Sequence, residues 1–413
     1  MNRGETPVSA TQPAATPEHG SHPRHICIVT DTYPPEVNGV SLTLARLAQG
    51  LQGLGHTVSV VCPNPWHGER RSRGPRLTAV SGLPLPGYKG LHFGLPAGGV
   101  LRERWAQDRP DVVYVATEGL LGWSAVRTAH GFGIPVLSGF HTDFHSYSRH
   151  YYAGLLQHWV AYYLRWFHNR TGGTLVPSTE LRERLRAGGF KNVSVLGRGV
   201  DSELFTPARR CAALRESWGL SEQDVAVLYV GRVAAEKNLG LAIAAYRAMQ
   251  ASGKPMKFVI VGDGPQLAAF QTDHPDLLFC GVHRGEPLAE RYASADVFLF
   301  PSETETFGNV TLEAMASGLA VVAYDYAAAH THITHGETGM LAPYGQPKDY
   351  VAAAVELARA PQTLPRMRHQ AREYAATLGW PRVVQQFEAL LTAALNHRQP
   401  AADVLQRPLA DLR

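Results

Sequence analysis

Two kinds of apolar pattern alternate along the chain. Short unbroken runs of aliphatic and β-branched residues stand at 25–30, 57–62, 112–115 and 135–140, with helically spaced stretches at 41–52 and 120–130 between them. The rhythm restarts after Pro207, with apolar runs at 226–230, 258–261, 277–280, 297–300 and 319–323 and helical stretches filling the gaps. Unbroken runs of this kind suit strands buried on both faces. Their alternation with helices predicts α/β architecture: parallel sheets with helices on both sides. The restart predicts two doubly wound domains, joined at the turn-rich Gly197-Arg198-Gly199-Val200-Asp201. The expected division is 24–200 and 201–380, then a helix over 381–397, with loose tails at 1–23 and 398–413.

In such sheets ligands gather at the carboxyl edges of the strands. The edge after 297–300 reads Pro301-Ser302-Glu303-Thr304-Glu305-Thr306-Phe307-Gly308-Asn309-Val310-Thr311-Leu312-Glu313. Here a strand end passes through a polar loop into a helix start, whose exposed amides and dipole favour an anion. Glu305 and Glu313, with seven residues between them, bracket that start and can both accept from hydroxyls. Either glutamate alone fits an ordinary acidic first turn equally well. The edge after 226–230 carries Arg232 and Lys237, a forked donor and a mobile ammonium suited to a diphosphate. A third edge, Gly262-Asp263-Gly264-Pro265, permits close backbone approach to a ligand. The first strand leads to Asn38-Gly39, a tight turn with Ser41 as a helix cap, and lacks the Gly-x-Gly-x-x-Gly dinucleotide fingerprint.

Composition narrows the partners. The 413 residues, 45% of them hydrophobic, can fill two cores. A formal charge of +4 without a basic block argues against nucleic acid. No apolar run reaches the roughly 18 residues of a membrane span. Four scattered cysteines, Cys27, Cys62, Cys211 and Cys280, fit reduced thiols in a cytoplasmic protein. The tail before Pro23 lacks the apolar segment of a signal peptide.

Taken together, Gly231-Arg232 with Glu236-Lys237-Asn238, Gly262-Asp263-Gly264-Pro265 and the Glu305/Glu313 pair followed by Ala-Met-Ala-Ser-Gly resemble glycosyltransferase family 4, retaining enzymes of GT-B fold. Residues 30–40, Phe140-His141-Thr142-Asp143 and 197–201 are similar to bacterial GDP-mannose-dependent α-mannosyltransferases and sulfoquinovosyl-diacylglycerol synthases. The resemblance covers residues 25–395. It implies two Rossmann-like domains facing a central cleft, with the C-terminal helix crossing back to the first.

It further implies that Glu313 accepts from the donor ribose hydroxyls and that Glu305 lies by the donor sugar. The Phe307, Gly308, Asn309 and Val310 backbone lies near sugar and diphosphate, Arg232 and Lys237 neutralise the leaving diphosphate, and Gly39 lets the first domain approach it. His141 is expected to hydrogen-bond a sugar hydroxyl, although a lone histidine there otherwise reads as a satisfied core group. Transfer expels a nucleoside diphosphate, whose charge needs a metal or fixed protein groups. No Asp-x-Asp pair occurs, so a metal-free reaction with retention is expected, using the nucleotide-sugar as co-substrate and no cofactor. The expected transfer is of mannose from GDP-mannose to a lipid or glycan. UDP-sugar-dependent glycolipid synthesis, a sugar-nucleotide 2-epimerase and a non-catalytic binding protein are the alternatives. Arg70, Arg71, Arg73, Arg76 and Lys89, with the aromatic run 145–170, are the acceptor candidates. That run reads either as a peripheral membrane face at the inner leaflet or as a packed amphipathic helix.

Overall fold

The computed structural model describes residues 22–36, 38–63, 74–84, 92–141, 155–251, 253–305 and 307–396. They form two domains, each built on a parallel sheet. Across the first sheet the strands run Arg76–Val80, Thr57–Pro63, His25–Val29, Val112–Val115, Val136–Gly139, Gly173–Val176 and Val193–Val195. Across the second they run Leu278–Phe279, Met256–Val261, Val225–Val230, Val297–Phe300, Ala320–Tyr324 and Gly339–Ala342. The first strand of each domain is central, with Ile28 between Val60 and Tyr114, and Leu228 between Val259 and Phe298. Strand order therefore reverses beside that strand, and a crevice opens at its carboxyl edge.

The apolar runs work because each strand feeds two layers. Phe298 and Phe300 enter one core of the second domain while Val297 and Leu299 enter the other. Ile26 and Ile28 are divided from Cys27 and Val29 in the same way. Strands 76–80, 173–176, 193–195 and 339–342 escaped the pattern reading, being short or interrupted by glycine and polar residues.

The chain crosses between domains twice, and the crossings lie side by side. Val200 N–H donates to the Leu378 carbonyl at 2.9 Å, and Gly199 packs against Trp380. The helix Trp380–Asn396 then lies on the first domain. Val383, Val384, Phe387 and Leu391 join Leu44, Leu47 and Leu51 in its core. A Cβ at Gly50 would collide with Val384, and Phe387 meets Tyr114 edge-on at 4.9 Å. Arg46, on the helix Gly39–Gly53, pairs with Asp201 of the linker.

One buried carboxylate anchors the far edge of the second sheet. Asp296 accepts from Arg215 Nη1 at 3.0 Å, Arg210 Nη1 at 3.2 Å, Arg368 Nη1 at 2.7 Å and Ala226 N–H at 2.8 Å. No helix among the described residues is long and apolar enough to cross a membrane.

Candidate active site

Two loops leave the second sheet where its strand order reverses, and they are stitched together. Strand Val225–Val230 runs into Gly231, Arg232 and the single turn Ala235–Lys237. Strand Val297–Phe300 runs into Ser302 to Glu305. Glu303 N–H donates to the Glu236 carbonyl at 3.1 Å, and Asn238 Nδ2 donates to Glu303 Oε1 at 3.0 Å. Lys237 Nζ donates to the Thr304 carbonyl at 3.0 Å and pairs with Glu305 Oε1. Glu305 is held further by Ser302 Oγ at 2.9 Å, and its carbonyl accepts from Tyr326 OH at 2.9 Å. Arg232 leans outward on the same loop, Nη1 3.9 Å from Glu236 Oε1. The two cations and Glu305 thus share one edge.

Gly308 turns that edge into the helix Asn309–Ala316. Its φ of +92° is a left-handed conformation that glycine adopts without strain. No side chain among the described residues caps this helix. Thr311 N–H turns back to the Gly308 carbonyl at 3.0 Å. Phe307 is buried beneath, its carbonyl accepting from Ala328 N–H at 2.7 Å. One turn along, Glu313 accepts from Tyr292 OH at 3.2 Å. Burial pushes the Glu313 carboxyl up to about 7, opposed only by the tyrosine bond.

The first domain meets this helix end directly. A Cβ on Gly39 would lie 3.7 Å from Asn309 Nδ2, so the start of Gly39–Gly53 faces the start of Asn309–Ala316. Two positive helix ends converge on one gap. Asn38, not Ser41, caps the first of them, its Oδ1 accepting from Val40 N–H at 3.1 Å and Ser41 N–H at 2.9 Å. The sequence reading placed the cap at Ser41; the extended backbone at Asn38 puts it there instead.

At Gly262 and Gly264 the close approach is made by the protein itself, on the side where a side chain would sit. A Cβ at either would overlap the carbonyl of Gly231 or of Val233, so these glycines let neighbouring turns close on each other. Val233 N–H to the Asp263 carbonyl, at 2.9 Å, seals that contact. His141 is buried, with Tyr114 OH 2.6 Å from Nε2 and Arg198 Nη2 2.7 Å from Nδ1. Both ring nitrogens are engaged within the protein, as in the core reading of a lone histidine.

Sequence reasoning passed over Tyr292, Ser302, Tyr326, Tyr114 and Arg198 as partners of site residues, because each pairing is visible only in space. In the first domain Asp31 ends the central strand, accepts from Gly94 N–H at 3.0 Å, and is pushed up to about 6 by burial. Of the acceptor candidates, Arg70, Arg71, Arg73, Lys89, Tyr151 and Tyr152 lie outside the described residues. Arg76 pairs with Asp108 at 2.8 Å. On the helix Leu155–His168 Phe167 is core, while Trp159 and Tyr162 are exposed, with Arg165 over the Tyr162 ring at 5.8 Å.

Comparison with known proteins places this geometry. Residues 37–204 match the model described as Glycosyltransferase Family 4, and residues 224–360 match Glycosyl transferases group 1. A GDP-mannose-dependent alpha-mannosyltransferase of Mycobacterium tuberculosis is 33% identical over 91% of this chain and 98% of that protein. Sulfoquinovosyl transferase SQD2 of Arabidopsis thaliana is 29% identical over 89% of this chain and 73% of its own. The solved sucrose-phosphate synthase of Thermosynechococcus elongatus superposes with a TM-score of 0.74 at 19% identity, over 90% of this chain and 99% of that one.

Proposed function

The chain belongs to glycosyltransferase family 4 and is a hexosyltransferase of GT-B fold, and we propose that it transfers mannose from GDP-mannose, with retention, to a hydroxyl of a lipid or glycan. One observation carries this reading. Lys237 crosses from its own loop to Glu305 and the Thr304 carbonyl, beside the uncapped helix start at Asn309. A diphosphate resting on that helix end would meet the ammonium, the Arg232 guanidinium and the helix dipole together.

In this reading the bond between the anomeric carbon and the phosphate oxygen breaks while the acceptor oxygen bonds the same carbon from the same face. The acceptor proton passes to the departing phosphate. Lys237, Arg232 and the helix end carry the growing negative charge in place of a metal. Glu305 borders the sugar and Glu313 accepts from the ribose. The mannosyltransferase from Mycobacterium tuberculosis supports GDP-mannose as donor. The sulfoquinovosyl transferase of Arabidopsis and an alpha-monoglucosyldiacylglycerol synthase of Streptococcus pneumoniae, 26% identical over 72% of this chain and 70% of that protein, support a second reading, transfer of another hexose to a lipid, for which a UDP-sugar would be the donor. Trp159, Tyr162 and Arg165 supply the aromatic and cationic mixture suited to a lipid surface, which favours action at the cytoplasmic face of a membrane.

Thermal unfolding with GDP-mannose, UDP-glucose, UDP-galactose and UDP-sulfoquinovose tests the donor. At about 100 times its Kd a bound donor adds roughly 2.7 kcal/mol of stability, and GDP-mannose is expected to give the largest rise in Tm. A larger rise with a UDP-sugar would transfer the assignment to the second reading.

Glu313 gives this site a pH signature. Ribose hydroxyls donate to the charged carboxylate, and about half of it is protonated near pH 7 in the empty protein. Donor affinity should therefore climb as pH rises through about 7 and level off above it. In Glu313→Gln that slope should vanish, with affinity about ten- to a hundredfold lower, as for a lost bond to a charged group. Calorimetric titration across pH checks both, and a slope that survives in the variant would assign it to another group.

A further inference from the structure

The loop that carries Glu305 is gripped from two sides. On one, Glu303 N–H donates to the Glu236 carbonyl, and the Thr304 carbonyl accepts from Lys237 Nζ at 3.0 Å. On the other, three carbonyls turn toward the chain that follows strand Ala320–Tyr324. The Glu303 carbonyl accepts from Tyr344 OH at 2.8 Å, that of Glu305 from Tyr326 OH at 2.9 Å, and that of Phe307 from Ala328 N–H at 2.7 Å. The Glu305 side chain runs beside the residue that opens the helix Asn309–Ala316, for a Cβ at Gly308 would lie 3.5 Å from Glu305 Cγ.

We propose that Tyr326 is a positioning residue for Lys237: by holding the Glu305 carbonyl it fixes the carboxylate and the Thr304 carbonyl on which the ammonium rests. This rests on the reading above in one respect, that the ammonium meets the departing diphosphate. Tyr326 acts only through the loop, so no contact between its ring and the donor is required.

The backbone beside Tyr326 points the same way. Ala327 is held at a φ of +53°, a left-handed conformation that is costly for any residue with a Cβ. Strain of this kind persists only where the surroundings over-determine it, and it gathers at functional sites. Here the strained residue lies between the two that reach the loop, Tyr326 before it and Ala328 after it. Both Ala327 and Ala328 are buried. The Tyr326 ring leans on that of Tyr344, their centroids 4.9 Å apart, and its own N–H donates to the Tyr324 carbonyl at 2.8 Å. The hydroxyl is therefore aimed by the ring contact and by the turn together.

A double-mutant cycle tests this, read as GDP released from GDP-mannose with water as acceptor. Tyr326→Phe keeps the ring and deletes the grip. Its kcat is expected to fall about three- to tenfold, the weight of one hydrogen bond, with KM for the donor within about twofold of native. In a Lys237→Met background the same change should cost less than about twofold, because the ammonium it positions is gone. A hydroxyl that merely steadied the fold would slow both backgrounds alike, and that equal loss overturns the proposal. So does an unchanged kcat in Tyr326→Phe. Hydrogen exchange supplies a measurement without any donor: the Glu303 and Ala328 amides should exchange about three- to tenfold faster in Tyr326→Phe, with those of strand Val225–Val230 unaltered. Unaltered exchange at Glu303 and Ala328 overturns the proposal whatever the donor. Failure of the GDP-mannose assignment shows separately, as no GDP release by the native chain, and the cycle is then run with the UDP-sugar that gives the largest rise in Tm.

Discussion

Turnover by Lys237→Met is expected to fall by about 10²–10³, the loss found when one preorganised donor to a developing oxyanion is removed. The methionine keeps the apolar stem, and the loop keeps the bond from Glu303 N–H to the Glu236 carbonyl, so the change is confined to the ammonium. In the resting protein the charge is already held by Glu305 and the Thr304 carbonyl, at a half-buried position where a charge counts for more than at the surface. Charge on the diphosphate grows as the anomeric bond breaks, and for that reason turnover should suffer more than donor Kd. Single-turnover kinetics beside calorimetric titration separate the two. A Kd that worsens by the full factor while turnover holds would make Lys237 a binding residue only.

The second large effect concerns stability. Asp296→Ala is expected to destabilise the protein by about 3–5 kcal/mol, as removal of one partner from a buried ionic cluster does. Three arginines converge on this carboxylate, and the Ala226 amide loses its acceptor as well. Arg215 retains the carbonyls of Ser221, Asp224 and Ser294, which holds the loss within that range. Asp296→Asn keeps an acceptor and should lie between alanine and the native chain. Urea unfolding followed by fluorescence and by circular dichroism measures all three proteins. A loss below about 1 kcal/mol, the scale of a surface pair, would mean that water replaces the carboxylate.

How much of this could be read beforehand depended on where each partner came from. Strands buried on both faces write themselves as unbroken apolar runs, and the sheets were legible for that reason. Lys237, Glu305 and the Asn309 helix start were legible because a strand's carboxyl edge is a position in sequence as well as in space. The partners that fix them were not. Tyr292 reaches Glu313 from a separate helix, and Arg198 reaches His141 across 57 positions of chain. The glycines show the limit most sharply. The 262–264 turn permits a close approach, but only the fold reveals that the 231–233 turn packs against it. Ser41 read as the cap until the extended backbone placed Asn38 in that role.

The helix Trp380–Asn396 alters what a domain means in this molecule. Val383, Val384, Phe387 and Leu391 complete a core whose other members lie before residue 200. During synthesis that face of the amino-terminal half, with Leu44, Leu47 and Leu51, therefore stays uncovered until residues 383–391 have emerged. Its assembly is consequently tied to that of the carboxyl-terminal half, and a chain cut before Trp380 would leave an apolar groove open along the first helix.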